Sequence, residues 1–202
     1  MQAALRERVI SGPGPASPGA VAGLDVAYQG DRLAAAVVVL DPADGTVLDT
    51  AVVRGTPAFP YVPGLFAFRE IPTLLDALDR LRVRPDVLIC DGHGRAHPRR
   101  FGLASHLGVL TDLPSFGVGK TRLLGQWEPV GERRGDRSAL VDEGETVGAV
   151  LRTQDGVKPV FVSTGHRMDL ETACSLTLRL APRYRLPETT RAADRACRDA
   201  IR

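Results

Sequence analysis

The chain is expected to fold as one α/β domain, with helices flanking a mixed sheet. Two patterns lead there. Three strand-like runs follow one another near the N-terminus with short connections, which reads as an antiparallel meander. After them an apolar strand, a helix and another apolar strand alternate, the pattern of parallel pairing. With 202 residues, a single sizeable core and a single domain over 1–202 are the default.

Taken in order, residues 2–10 are predicted as a short helix, and the Pro- and Gly-rich stretch 11–19 as a loop. The meander consists of 21–28, 33–40 and 46–53, with DPADG at 41–45 as a turn. Residues 55–64 form a second loop. Apolar positions at 71, 74, 75, 78 and 81 have helical spacing, so 65–81 is predicted as a helix. The run 87–90 is too compact for a helix and reads as a buried strand. A helix over 99–110 and a strand over 115–118 follow. Further strands are expected at 138–141, 146–152 and 159–163, then a helix over 169–180 with Asp169 near its start, and a short helix from 188.

Composition narrows the function classes. Hydrophobic residues make up 44% and charged residues 25%, as in ordinary soluble globular proteins. A net charge of +2 rules out a uniformly basic coat, so any polyanion must meet a local patch. Cys90, Cys174 and Cys197 include no C-x-x-C pair, which argues against a disulfide framework or a zinc site and for reduced thiols. MQAALRERV lacks the apolar core of a signal peptide, and no run approaches the roughly 18 apolar residues of a membrane span. A cytoplasmic protein without membrane contact is expected, and a monomer.

The informative residues are acids in apolar surroundings. Asp25 interrupts VAGLDVAY, where the two-residue strand period puts it on the layer opposite Leu24 and Val26. Glu70 ends YVPGLFAFRE, and Asp91 ends DVLICD. A carboxylate at the end of a buried strand is costly unless a cation or hydrogen bonds compensate it. Two strands and a helix could bring the three acids to one point, where Mg²⁺ takes a few carboxylates plus water and phosphate oxygens. The alternative for Asp25 is a strand-end aspartate capping a loop. GHGRAHPRR follows Asp91 directly. Its glycines allow close backbone approach, and Arg95, Arg99 and Arg100 suit a polyanion better than a bare metal site. Their alternative is salt bridging to surface acids. His93 and His97 are four apart, but Gly94 and Pro98 make the segment a loop, and one of them fits a phosphate contact better than a zinc ligand.

Phe116-Gly-Val-Gly-Lys-Thr121 is not a nucleotide-binding P-loop, because Pro114 stands where that motif needs glycine. Lys120 after a strand can still reach a phosphate as a point charge. Tyr61 between two prolines sits on a stiff loop, from which an aromatic ring could wedge between bases. The alternative is packing on the core. His166, between a strand and a helix, could ligate a metal or contact phosphate, or simply sit at the helix entry.

Six segments in order, GLDVAY, PYVPGLFAFRE, LICDGHGRAHPRRFGLASHLGV, PSFGVGKTRL, FVSTGHRMDLETA and RLPETTRAAD, resemble the endonuclease V family, which acts at deaminated adenine. They span roughly Gly23 to Asp194, most of the chain. The resemblance implies a ribonuclease H-like fold with a mixed five-stranded central sheet flanked by helices. It places the metal carboxylates on Asp25, Glu70 and Asp91, and a histidine near a second metal on His166. The tyrosine wedge falls on Tyr61, the active-site histidine and lysine on His97 and Lys120, and the loop enclosing a flipped base on Gly94. The implied chemistry is metal-assisted hydrolysis with Mg²⁺, or Mn²⁺ in its place, at the second phosphodiester bond 3′ to inosine, leaving 3′-hydroxyl and 5′-phosphate ends. Inosine-containing DNA, and RNA as well, are the implied partners. Gly119 and Thr121 stand where alanine and serine are common in the family, and Thr189 replaces the proline of its PEPTR motif. A nuclease of different specificity would not need the Tyr61 wedge. A non-catalytic nucleic-acid-binding protein would tolerate loss of the acids, yet all are present.

Overall fold

The computed structural model describes residues 2–57 and 66–202. After a short helix, α1 (Gln2–Arg6), the meander forms as expected: β1 (Val21–Gln29), β2 (Arg32–Leu40) and β3 (Val47–Gly55) pair antiparallel in sequence order. Gly30 turns the first hairpin at φ 58°. Asp41 closes the second turn, accepting from Ala43 N through its side chain and from Gly45 N through its carbonyl. Helix α2 (Phe66–Asp79) then crosses to β4 (Val87–Cys90), parallel to β1, and α3 (Leu103–Thr111) leads to β5 (Ser115–Gly119), parallel to β4. The hairpin β6 (Arg137–Asp142) and β7 (Glu145–Leu151) precedes β8 (Val160–Thr164), which pairs antiparallel with both β7 and β5. Two helices, α4 (Leu170–Leu180) and α5 (Glu188–Ile201), complete the chain. The sheet therefore has eight strands in the order β3-β2-β1-β4-β5-β8-β7-β6. The first five strands lie side by side, and the three further predicted strands extend the sheet beyond β5.

Strand alternation divides the apolar residues into two layers. Ala22, Leu24, Val37, Leu88 and Cys90 pack with Ile71 and Leu74 of α2 and Leu107 of α3. Val21, Val38, Ile89 and Phe116 pack with Cys174 and Leu176 of α4 and Ala193 and Cys197 of α5. The sheet is thus covered on both faces, which is why its central strands read as nearly unbroken apolar runs. Three boundaries differ most from expectation. Helix α1 ends at Arg6 rather than near residue 10. Helix α3 starts at Leu103 rather than near 99, because Arg100 adopts φ 54°, incompatible with a right-handed helix. Helix α5 is longer than a short terminal turn, because its Ala193–Cys197 face docks on β1 and β2.

Candidate active site

Asp25 lies within β1, beyond the last residue that pairs with β4, and Asp91 directly follows β4. The two strands are parallel, Leu24 opposite Cys90, and Asp91 N donates to Leu24 O at 3.2 Å. Their acids therefore emerge at the same sheet end. Asp25 points to the layer opposite Leu24 and Val26, as the strand period requires. Glu70, in the second turn of α2, reaches the same end from the other layer and is only 4% exposed. Burial, then the charge of Asp91, pushes Asp25 up to about 7. Burial, then the charge of Asp25, pushes Glu70 up to about 8, with Asp91 adding to it. Three carboxylates that repel one another in a half-dry place form a natural seat for a cation.

Lys120 follows β5 and pairs with Asp91. Burial acts against its charge, but the Asp91 partnership prevails and raises its pKa, so it stays an ammonium. Beside this pair opens a cavity of about 710 Å³ lined by Gly92, His93, His97, Arg99, Leu103 and Leu123 among others, with Asp91 and Lys120 on its rim. That volume lies within the usual range for a small-molecule pocket. His97 is buried, its Nδ1 accepts from Arg99 N at 3.2 Å, and burial followed by the charge of Arg99 lowers it to about 4. It is a neutral ring whose proton sits on Nε2, a donor rather than a cation. His93 Nε2 lies 3.1 Å from Thr121 O; a carbonyl only accepts, so that nitrogen carries the proton. The His93 ring fits because residue 119 is glycine: a Cβ there would come within 2.5 Å of His93 Cε1.

Several expected site residues are placed elsewhere. His166 does not join the acids. Its carbonyl accepts from Ser115 N at the start of β5, whereas Lys120 follows the end of that strand. It is 2% exposed, with Nδ1 accepting from Ile10 N and Nε2 facing Asp112 at 3.1 Å. Both ring nitrogens are engaged, so it ties the N-terminal segment to the end of α3 and has no free atom for a metal. Gly94 is buried beneath the loop. Its N donates to Ser163 Oγ, and a Cβ would strike Thr164 O at 2.1 Å, so it packs the loop on β8 instead of facing the cavity. Arg95 pairs with Glu145, and Arg100 with Glu145 and, at 2.8 Å, with Asp142. These two arginines bind the loop to the β6–β7 hairpin and are not the open phosphate contacts expected of them. Arg99 does line the cavity, and its guanidinium donates to Gln2 Oε1 at 2.7 Å. Tyr61 lies outside the described residues.

Two residues unassigned by the sequence reading belong to the site. Tyr28 Oη donates to Glu70 Oε1 at 3.2 Å, and its position three residues after Asp25 was the only signal. Asp194, on α5, raises the pKa of both Asp25 and Lys120 and shares a groove with Asp91 and Lys120. It is a fourth acid, from the layer Asp25 faces. The docking of α5 brings it there: Gly23 in β1 leaves room for the Thr189 backbone, which a Cβ would meet at 2.1 Å. The RAAD segment lies within a motif that resembles the family's, but nothing local marks its aspartate.

Among the described residues, no three His, Cys, Asp or Glu side chains stand as a ready cage for one ion. The donor set, oxygen-only and rich in carboxylate, fits a hard cation such as Mg²⁺, which takes one or two carboxylates and completes its shell with water and phosphate. Among the described residues no helix is long and apolar enough to cross a membrane.

The family model for endonuclease V matches residues 3–195. An endonuclease V from Nocardia farcinica is 56% identical over 98% of this chain and 88% of its own length. The crystal structure of endonuclease V from Streptomyces avermitilis superposes with a TM-score of 0.96 at 56% identity, covering 99% of this chain and 90% of that one. Endonuclease V from Ciona intestinalis, solved in complex with a 24mer DNA containing an inosine followed by a ribo-adenosine, gives a TM-score of 0.86 at 27% identity over 99% of this chain and 94% of its own. With the matched motifs, the shared fold and this coverage, the chain belongs to the endonuclease V family.

Proposed function

We propose that the protein is a metal-dependent endonuclease that cuts DNA or RNA at the second phosphodiester bond 3′ to inosine or deoxyinosine, leaving 3′-hydroxyl and 5′-phosphate ends, in repair of deaminated bases. The observation that carries it is the meeting of Asp25, Glu70 and Asp91, with Asp91 and its cationic partner Lys120 on the rim of a cavity large enough for a base. The inosine-containing DNA held by the Ciona relative supports the substrate. Asp25, Glu70 and Asp91 would hold Mg²⁺, or Mn²⁺, with Asp194 near enough to add a carboxylate. When bound, such an ion supplies Lewis-acid activation of water and neutralises charge on the phosphate.

The chain's own groups do the rest. Lys120 sets a fixed positive charge where phosphate charge builds up in the transition state. Tyr28 holds Glu70 in orientation. His97 offers a neutral Nε2–H donor that needs no deprotonation at neutral pH. The apolar wall of Leu103 and Leu123 suits the faces of an extruded base, and Tyr61 would fill the gap it leaves. The deciding experiment incubates matched DNA and RNA strands, with and without one inosine, in Mg²⁺, Ca²⁺ or chelator, and maps the ends. Cleavage confined to inosine strands with Mg²⁺, at the second bond, is expected. Cutting that ignores inosine, or persists in chelator, would overturn the reading.

A further inference from the structure

We propose that one edge of α5 is a track for the sugar–phosphate backbone of the bound strand, leading from the acids to the β2–β3 end of the sheet and completed there by Arg54. The inference rests on the nuclease reading for the identity of the polyanion.

A groove of about 440 Å³ leaves the site where Asp91 and Lys120 stand, and four arginines line it: Arg191, Arg195 and Arg198 of α5, and Arg202 directly after it. Their spacing of four, three and four residues puts them along one side of a helix. The other side is anchored, with Ala193 and Cys197 fully buried against the sheet, so the arginine edge is held at a set distance from the acids. A second groove of about 180 Å³ begins at Arg202 and adds Arg32 and Arg54. The two grooves share Arg202 and form one basic path. Eleven residues of helix span about 16 Å, long enough to run beside more than one phosphate of a strand.

The pairing of these arginines points the same way. Arg195 and Arg54 are exposed, and neither has an ion-pair or hydrogen-bond partner among the described residues. Arg198 and Arg202 pair only with acids of their own helix, Asp194 at 2.9 Å and Asp199 at 3.6 Å; such exposed pairs are weak and give way to a phosphate. Arg191 lies over the Tyr184 ring at 3.4 Å and pairs with Glu188 of its own helix at 3.6 Å, and it too lines the groove. By contrast, Arg95 and Arg100, next to Asp91 in sequence, are tied to acids of another element.

The test measures affinity for a lesion-free single strand against salt concentration, without divalent metal, for the wild type, Arg195→Ala/Arg54→Ala and Arg195→Lys/Arg54→Lys. Arg84→Ala, exposed and ahead of β4, at the opposite end of that strand from Asp91, serves as control. The alanine pair should bind more weakly and flatten the slope of log affinity against log salt by about 1.4, the value for two lost contacts on a single strand. The lysine pair should keep the slope, and so should the control. An unchanged slope in the alanine pair, or an equal loss in the control, overturns the track. Cleavage of an inosine strand by the wild type is scored separately. A lost slope without inosine cleavage keeps the track and removes the nuclease reading, and cleavage with an unchanged slope does the reverse.

Discussion

At Asp25 and Glu70, function and stability oppose each other. Burial and mutual repulsion raise both acids, to about 7 and about 8, from roughly 4 in an unfolded chain. The folded state therefore holds these protons more tightly than the unfolded one. The metal-free protein should be most stable below about pH 4 with respect to these groups, and should lose that stability as the pH rises through 7 and 8. Asp25→Asn and Glu70→Gln remove the burden. Each is expected to raise the stability of the metal-free protein at pH 8 by roughly 1–3 kcal/mol and to change little at pH 4, as read by denaturant unfolding with chelator present. A variant less stable than the wild type at pH 8 would show that the acids are compensated in some other way. Asp91→Asn should leave the fold intact and reduce cleavage by at least about 100-fold, on the scale of removing one preorganised charge from an active site. Single-turnover cleavage of an inosine strand measures it, and an active variant would remove Asp91 from the chemistry.

At the scale of elements, the contact between β1 and α5 decides the fourth acid. Gly23 faces the backbone of Thr189 and Thr190, so the carbonyl region of α5's first turn occupies the place of a side chain. Gly23→Ala should lift that turn, lower stability by about 1–3 kcal/mol and displace Asp194 from Asp25 and Lys120. Unchanged melting and unchanged activity would mean that the helix has slack the packing does not suggest. Gly119 plays a similar part at the end of β5, where it admits the His93 ring. The hairpin β6–β7 acts from outside by holding the loop after Asp91 through Arg95 and Arg100. Arg100→Ala should cost about 1–3 kcal/mol, since its side chain is 16% exposed and removing it leaves Asp142 without its partner, while Glu145 keeps Arg95. Arg95→Ala and Arg100→Ala should leave the salt dependence of nucleic-acid affinity unchanged. A flattened slope in either would restore it as a phosphate contact.

At the scale of the whole molecule, the meander, the strand–helix alternation and the two apolar layers were legible because they rest on local period and composition. A strand buried on both faces reads as an apolar run, and an acid that breaks the run is costly enough to stand out. The same logic exposed Asp25 and Asp91, in and directly after such runs, whereas Glu70 stood out as an acid after an apolar stretch that forms a helix and Lys120 as a charge directly after a strand. What only the tertiary structure decided depends on contacts between distant segments. His166 has the sequence surroundings of a site residue, yet β8 runs antiparallel to β5 and delivers it to the far end of the sheet. Asp194 has unremarkable surroundings, yet the docking of α5 across β1 brings it to the acids. Arg95 and Arg100, close to Asp91 in sequence, are held by the hairpin, while arginines of a helix a hundred residues later line the groove. Strand direction and helix docking are set by long-range packing, which leaves no mark on the residues nearby, whereas burial cost marks each acid where it stands.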